Sequence, residues 1–287
     1  MGMEVGILFA LVAMLGWGFG DFFIQKSTRK VGIWTTIFII TAIGAIVLTP
    51  FALKNAGNLL SVGRNVFIIG ALAYFIAAFL DLKALKEGKL DVVEPIWSFE
   101  IVSSSLLAFF LLGERIEMIQ MVFVALLIIS LILVSLKTLH FERKYLVEKG
   151  VYVAFIAAIV MGGANFLIGV GSRTVDPITI KWGMDIFLAV CSGIFMIKNK
   201  ELGGISGKIR KNAPVILCMS VFDNAAWLAF GFAMVFAPIA IAVALSESYI
   251  VIAVLLGYFV NKEKLKKHQI IGLVLSVISA VYLASSL

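Results

Sequence analysis

The chain alternates between long apolar runs and short polar connections from its first residues to its last. Each run approaches the roughly 20 apolar residues that a helix needs to cross the hydrocarbon core of a bilayer. We therefore predict an all-α integral membrane protein with ten transmembrane helices, called spans one to ten. They lie at about residues 4–24, 31–50, 65–86, 91–112, 117–137, 149–172, 176–197, 211–235, 237–260 and 267–286.

The composition agrees with lipid as the main solvent of the chain. Apolar residues make up 62% of it and charged residues 14%, whereas a soluble domain carries roughly 25% charge. The mean hydropathy is +1.08. The net charge of +7 does not require nucleic acid, because the basic residues lie in short connections, where anionic lipid headgroups attract them. We predict membrane lipid, and no nucleic acid, as their partner.

No pattern typical of an enzyme interrupts the apolar runs. The chain contains no phosphate-binding loop of the GxxxxGK[ST] type, and its two histidines, His140 and His268, lie in connections without a ligand cluster. The two cysteines, Cys191 and Cys218, lie inside apolar runs, so we interpret them as small core residues. We therefore predict no enzymatic activity, no cofactor and no metal site.

The basic residues are distributed unevenly between the two ends of the spans. Connections after odd-numbered spans carry 19 Lys and Arg, and connections after even-numbered spans carry five. Since positively charged connections stay in the cytoplasm, this bias predicts cytoplasmic odd connections and both termini outside the cell, in the cytoplasmic membrane. We call the two ends of the bundle the odd-connection end and the even-connection end.

The ten spans divide into two related sets of five, which we predict as five-helix repeats at residues 1–140 and 149–287. Because five is odd, the second repeat has to cross the membrane in the opposite direction to the first. Such inverted repeats underlie alternating access in secondary transporters. The matching positions are 144 to 149 residues apart and include Gly18 and Gly162, Asp21 and Asn165, Arg29 and Arg173, Trp34 and Trp182, and Glu114 and Glu263.

With these features the chain resembles the EamA-type members of the drug/metabolite transporter superfamily. The resemblance rests on the run LGWGFGDFF at 15–23, the run VDPITIKW at 175–182, and the glutamates that close spans four and nine, Glu114 and Glu263. It implies two inverted five-span repeats, no ATP-binding domain, and export or exchange of small metabolites through a central cavity. Lys181 matches a basic residue that the family often carries near the start of span seven.

We single out six of the acidic residues inside the predicted spans, and three of them, Glu100, Asp223 and Glu247, lie near the middle. An acid at the centre of a span costs about 3 kcal/mol on insertion scales. Basic residues inside the spans are scarce, and Lys181 is the clearest candidate for a partner. The acids therefore indicate a water-filled cavity or protonated carboxyls, with hydrogen bonds between helices as the alternative. The other three lie nearer the span ends: Asp21, Asp81 and Asp185.

Four of the five tryptophans have an acid three or four residues away, which places both side chains on one helix face. An indole beside a carboxylate favours an organic cation or an amine, through charge and cation–π attraction. The aromatic belt at the membrane interface is the competing interpretation. The pairs are Trp17 with Asp21, Trp97 with Glu100, Trp182 with Asp185, and Trp227 with Asp223.

Together these features predict a secondary transporter that exports or exchanges a small metabolite, such as an amino acid or an amine, by alternating access, with protons as the candidate coupling ion. The alternative function is a cation channel or divalent-cation permease. The site is expected near the midplane between the halves, in a monomer or homodimer. The candidate substrate-binding or coupling residues are Glu100, Glu247, Asp223, Asn224, Asp21, Asn165, Trp17, Trp97, Trp227 and Tyr249, with Asp185 and Lys181 as secondary candidates.

Overall fold

The structure is a computed structural model that describes residues 2–87, 96–136, 149–203, 205–262 and 264–286. Within these ranges the chain forms helices joined by short connections. The helices are α1 (Gly2–Val31), α2 (Ile33–Ala52), α3 (Ala56–Ser61), α4 (Arg64–Glu87), α5 (Phe99–Leu112), α6 (Met118–Ser135), α7 (Lys149–Thr174), α8 (Pro177–Lys198), α9 (Ile205–Lys211), α10 (Ala213–Phe236), α11 (Ile239–Glu247), α12 (Tyr249–Asn261) and α13 (Lys267–Ser285).

The prediction of an all-α membrane fold with ten spans is confirmed. Nine stretches of the described residues are long and apolar enough to cross a membrane, and α11 and α12 together form one of them. Span four is represented by α5, a shorter apolar helix of 14 residues. The residues that the sequence assigns to the start of span four, 91–95, lie outside the described ranges, and so does Glu263.

Two spans differ from their expected limits. The sequence predicts that span one ends near residue 24, where polar residues begin, but α1 continues to Val31 because no residue there interrupts a helix. It stops at Gly32, whose φ of 98° is readily adopted only by glycine. Span nine is divided at Ser248, directly after Glu247, by a tight turn in which the Ser248 N–H donates to the Leu245 carbonyl at 3.2 Å.

Helix packing follows the two-fold relation of the repeats. Helix α1 (span one) packs along α10 (span eight), and their counterparts α7 (span six) and α4 (span three) pack in the same way. Helix α5 packs on α7, just as its counterpart, α11 with α12, packs on α1. Spans two and seven pair as α2 and α8, and spans five and ten pair as α6 and α13. Each of these pairs joins one repeat to the other, so the core of the bundle lies between the two halves.

Glycines permit close helix approach at matching places in the two repeats. A Cβ at Gly162 would lie 2.5 Å from Cβ of Ser103 on α5, and a Cβ at Gly18 would lie 2.7 Å from Cβ of Ile252 on α12. Gly18 matches Gly162 in the repeat, and Ser103 matches Ile252 at the offset of 149 residues. The two contacts are therefore copies of one packing arrangement, and a larger residue at either glycine would force the helices apart.

Two glutamines fasten spans five and ten to each other. Gln120 accepts the N–H of Glu117 at 2.9 Å and donates to the Ser286 carbonyl at 3.1 Å. Gln269, at the matching position, makes the same cap on α13 at 2.9 Å and donates to the Val134 carbonyl at 3.0 Å. Each glutamine thus satisfies a free N–H at the start of its own helix and a free carbonyl at the end of the other.

Candidate functional site

Carboxyl side chains from four helices interact electrostatically between the two halves. Glu100 on α5 and Glu247 at the end of α11 are both buried, with 7% and 5% of their surface exposed. They interact electrostatically with each other and with Asp21 on α1 and Asp81 on α4. We call these four residues the acid cluster. Asn165 on α7 adjoins it, since its Nδ2 lies 3.3 Å from Oε2 of Glu100.

The approach of α7 to α5 brings Asn165 to Glu100. A Cβ at Gly162 would lie 2.7 Å from the Glu100 carbonyl oxygen, so only glycine permits this approach. Asn165 follows Gly162 by three residues and lies on the same helix face. The Oδ1 of Asn165 is buried and has no hydrogen-bond partner within the described ranges. An amide oxygen with unused accepting capacity therefore lies beside the acid cluster.

Five aromatic side chains form a second group, the aromatic cluster. Trp17 on α1 contacts Trp227 and Phe230 on α10, with ring centroids 4.9 and 5.1 Å apart. It also contacts Tyr249 on α12 at 6.1 Å. Tyr74 on α4 contacts Trp227 at 4.7 Å. These rings come from both repeats, so the aromatic cluster bridges the halves as the acid cluster does.

A buried ion pair forms a third group, the lysine cluster of Lys181, Asp185 and Asn224. The Nζ of Lys181 on α8 lies 2.6 and 2.5 Å from the two carboxylate oxygens of Asp185, one turn further along the helix. It also donates to Oδ1 of Asn224 on α10 at 2.8 Å. Asp223 interacts electrostatically with Lys181 and Asp185, and the indole of Trp227 lies beside its carboxyl.

Tyr74 connects the three groups. It belongs to the aromatic cluster, is 8% exposed, and interacts electrostatically with Asp81 of the acid cluster and with Asp185 and Asp223. Tyr74 is not among the residues predicted for the site, because a tyrosine inside a span carries no charge that demands a partner. Its spacing of seven residues from Asp81 is two helical turns, and this spacing is the signal that places both side chains on one face of α4.

In two of the four tryptophan–acid pairs, the indole lies outside the aromatic cluster. Trp97 packs with Ala84, Ala154 and their neighbours in a separate small group. The indole N–H of Trp182 donates to Oγ1 of Thr49 on α2 at 3.0 Å and so joins spans seven and two. Within the described residues, no group of three or more His, Cys, Asp or Glu is arranged to hold a metal ion.

Comparison with known proteins relates this arrangement to a family. The profile of the EamA-like transporter family matches residues 4–136 and 148–285, nearly the whole chain. The chain belongs to the EamA-like transporter family. The fold of this EamA-like protein also resembles a solved crystal structure with a TM-score of 0.78 and 17% sequence identity, over 98% of this chain and 96% of the other. No curated protein sequence matches it.

Family membership identifies the chain as a multi-pass membrane protein of a transporter family. In this EamA-like fold, the candidate residues fall into a connected region between the halves. Glu100, Glu247, Asp21 and Asn165 lie in or beside the acid cluster, and Trp17, Trp227 and Tyr249 in the aromatic cluster. Lys181, Asp185, Asn224 and Asp223 form or adjoin the lysine cluster, and Trp97 lies apart.

The even-connection end of the bundle is held by an ion pair between the repeats. Glu114, just after α5, pairs with Arg173 near the end of α7. The second oxygen of Glu114 accepts the N–H of Ile239 at 2.9 Å. Arg173 also donates to the carbonyls of Met234 at 2.6 Å and Ala237 at 2.9 Å. This ion pair therefore ties span four to span six and to the connection between spans eight and nine.

Proposed function

We propose that this EamA-like protein is a secondary transporter that exports or exchanges a small amine-bearing metabolite, an amino acid or an amine, across the cytoplasmic membrane by alternating access. The observation that carries the proposal is the position of the acid cluster beside the aromatic cluster, between two inverted repeats. The acids supply negative charge and the rings supply faces that attract a cation.

The charge balance supports a cationic group on the substrate. Two carboxyls of the acid cluster, those of Glu100 and Glu247, are buried in the core of the bundle, and each buried charge costs free energy unless something compensates it. Lys181 is already engaged by Asp185 and Asn224. A substrate ammonium bound between the acids and the rings would supply positive charge beside Glu100 and Glu247.

Coupling follows from the proximity of two acids. Glu100 and Glu247 come from different repeats and interact electrostatically, so leaving both ionised without a compensating positive charge is unfavourable. A proton and a substrate ammonium each supply that charge, and they therefore compete for the same site. Exchange of one for the other couples substrate movement to the proton gradient, with Glu100 and Glu247 as the coupling carboxylates.

Alternating access follows from the inverted repeats, because exchanging the conformations of the two halves reverses the side from which the site is reached. The excess of Lys and Arg at the odd-connection end supports cytoplasmic odd connections and both termini outside. Fusion of a fluorescent protein that matures only in the cytoplasm tests this orientation. Fluorescence from a fusion at the C-terminus would contradict it.

A thermal-shift screen of the purified protein tests the substrate class. Amino acids, amines, sugars and nucleosides are added at two pH values, and the melting temperature is recorded. Amine-bearing compounds should stabilise the protein, because binding to the folded state raises its stability. Stabilisation by anionic compounds alone would show that the acids and tryptophans do not bind substrate.

The acid cluster also supports the alternative of a cation channel, since carboxyls line many cation paths. Proteoliposomes distinguish the two functions. A carrier saturates and accelerates when substrate is present on the opposite side, whereas a channel passes ionic current without counter-transport. Current through the purified protein that neither saturates nor depends on substrate would replace the transporter proposal with the channel.

A further inference from the structure

The ammonium group of Lys181 is enclosed by oxygen atoms. Its three possible N–H donors face three acceptors, namely both carboxylate oxygens of Asp185 at 2.6 and 2.5 Å and Oδ1 of Asn224 at 2.8 Å. The side chains of Lys181 and Asp185 are 7% and 1% exposed. A compact positive charge is therefore buried in a cage of three oxygen atoms.

The Asn224 oxygen is held in place by contacts of its own. The Nδ2 of Asn224 donates to the Ile40 carbonyl on α2 at 3.0 Å and to the Ser220 carbonyl at 2.9 Å. These two bonds fix the amide so that its oxygen faces Lys181. The orientation of this ligand consequently does not depend on the lysine.

The facing helix leaves space for the cage. A Cβ on Gly44 of α2 would lie 2.1 Å from Oδ1 of Asn224 and 2.3 Å from Oδ2 of Asp185. Glycine is thus the residue that lets both oxygens reach the ammonium. The cage is built by three helices, α2, α8 and α10, of which only α8 carries the lysine.

A second acid lies near the cage. Asp185 binds Lys181 directly, and Asp223 on α10 interacts electrostatically with both residues. Without the lysine, the Asp185 carboxylate and the Asn224 amide oxygen would remain around a vacant space of ammonium size, with the Asp223 carboxyl nearby. Buried charges left unpaired are strongly destabilising, so this space would attract a replacement cation.

We propose that Asp185 and Asn224, with the carboxyl of Asp223 nearby, form a monovalent-cation site that Lys181 fills with its own ammonium. The chain then carries, as a covalent part of itself, the positive charge that an ion-coupled transporter takes up as a free sodium or potassium ion. Carboxylate and amide oxygens are the usual ligands of such hard cations. The proposal does not depend on the identity of the transported substrate.

The test removes the lysine and offers the site a free ion. Lys181→Ala is purified in choline chloride, whose cation is too large for the space, and its melting temperature is measured as sodium or potassium replaces choline at constant ionic strength. Filling the site should raise the melting temperature by about 5 °C. The wild-type protein and the charge-neutral double variant Lys181→Met with Asp185→Asn should show no such response.

Three results would overturn the proposal. One is an equal response of Lys181→Ala and the wild-type protein to sodium and potassium. Another is stabilisation of Lys181→Ala by calcium or magnesium but by neither monovalent ion. The third is failure of Lys181→Ala to fold in any of these salts, because a vacant cation site would be refilled by the salt. Failure to fold is detected by size-exclusion chromatography of the detergent extract.

Discussion

Replacing Gly44 by alanine tests whether the lysine cluster is as tightly packed as its distances indicate. The added Cβ would lie 2.1 Å from Oδ1 of Asn224 and 2.3 Å from Oδ2 of Asp185, well inside van der Waals contact. The Asn224 amide cannot simply turn away, since it makes hydrogen bonds to Lys181 and to the Ile40 and Ser220 carbonyls.

The expected loss of stability can be worked from these bonds. Displacing the Asn224 amide forfeits one hydrogen bond to a charged group and two to carbonyls, together about 3–5 kcal/mol. Alanine in place of glycine adds about 1 kcal/mol to the free energy of unfolding, because it favours a helix more than glycine does. The net loss of about 2–4 kcal/mol should lower the melting temperature by roughly 5–15 °C.

Gly163 offers a matched control in another spanning helix. A Cβ there would lie 3.9 Å from its nearest neighbour, Cδ1 of Leu107, which is ordinary contact. Gly163→Ala should therefore leave the melting temperature unchanged or raise it by the helix preference alone. Both variants are purified in detergent and unfolded thermally, with tryptophan fluorescence as the readout.

A double variant shows whether the clash with Asn224 causes the effect. In an Asn224→Ala background, Gly44→Ala should cost about 1–3 kcal/mol less, because one of the two crowded oxygens is gone. Equal stability of Gly44→Ala and Gly163→Ala would refute the reasoning, since it would mean that α2 moves away from the lysine cluster at no cost.

Three further predictions concern the other groups. Glu100→Gln should abolish proton-coupled transport in proteoliposomes while substrate exchange persists, and full pH-coupled transport would remove Glu100 from the mechanism. Glu114→Gln should lower the free energy of unfolding by about 1–3 kcal/mol in a thermal unfolding experiment, because Arg173 loses its charged acceptor. A change near zero would mean that this ion pair does not hold the even-connection end. Trp227→Phe should weaken binding of an amine ligand severalfold to about tenfold, as measured by calorimetry. Trp97→Phe, outside the aromatic cluster, should leave the affinity unchanged. Equal effects of the two variants would contradict the aromatic cluster as a binding surface.

The membrane explains how much of the fold is readable from the sequence. A span must be apolar along its length whatever it packs against, so the number of spans is visible in the apolar runs. The repeat is visible as well, because matched glycines such as Gly18 and Gly162 preserve one packing arrangement in both halves. The exact ends are less visible, since a polar helix end such as the last turns of α1 is stable outside the hydrocarbon core.

The acids illustrate the division between sequence and tertiary structure. An acid inside a span is costly, so the sequence alone identified Glu100, Glu247, Asp223 and Asp185 as residues that need an explanation. It could not tell which of them share a site. The structure brings Asn224 on α10 to Lys181 and Glu247 to Glu100, because the packing of helices distant in sequence decides which faces meet.

The residues that the sequence did not reveal are uncharged. Tyr74 and Gly44 fit unremarkably into apolar spans, and neither carries an insertion cost that marks it as functional. Their importance arises from contacts across the bundle, with Trp227 for Tyr74 and with Asn224 for Gly44. The sequence by itself therefore determined the spans, the inverted repeat and the costly charges, since the bilayer imposes these on each helix separately. Only the packing of helices distant in sequence decided how those charges are grouped and compensated.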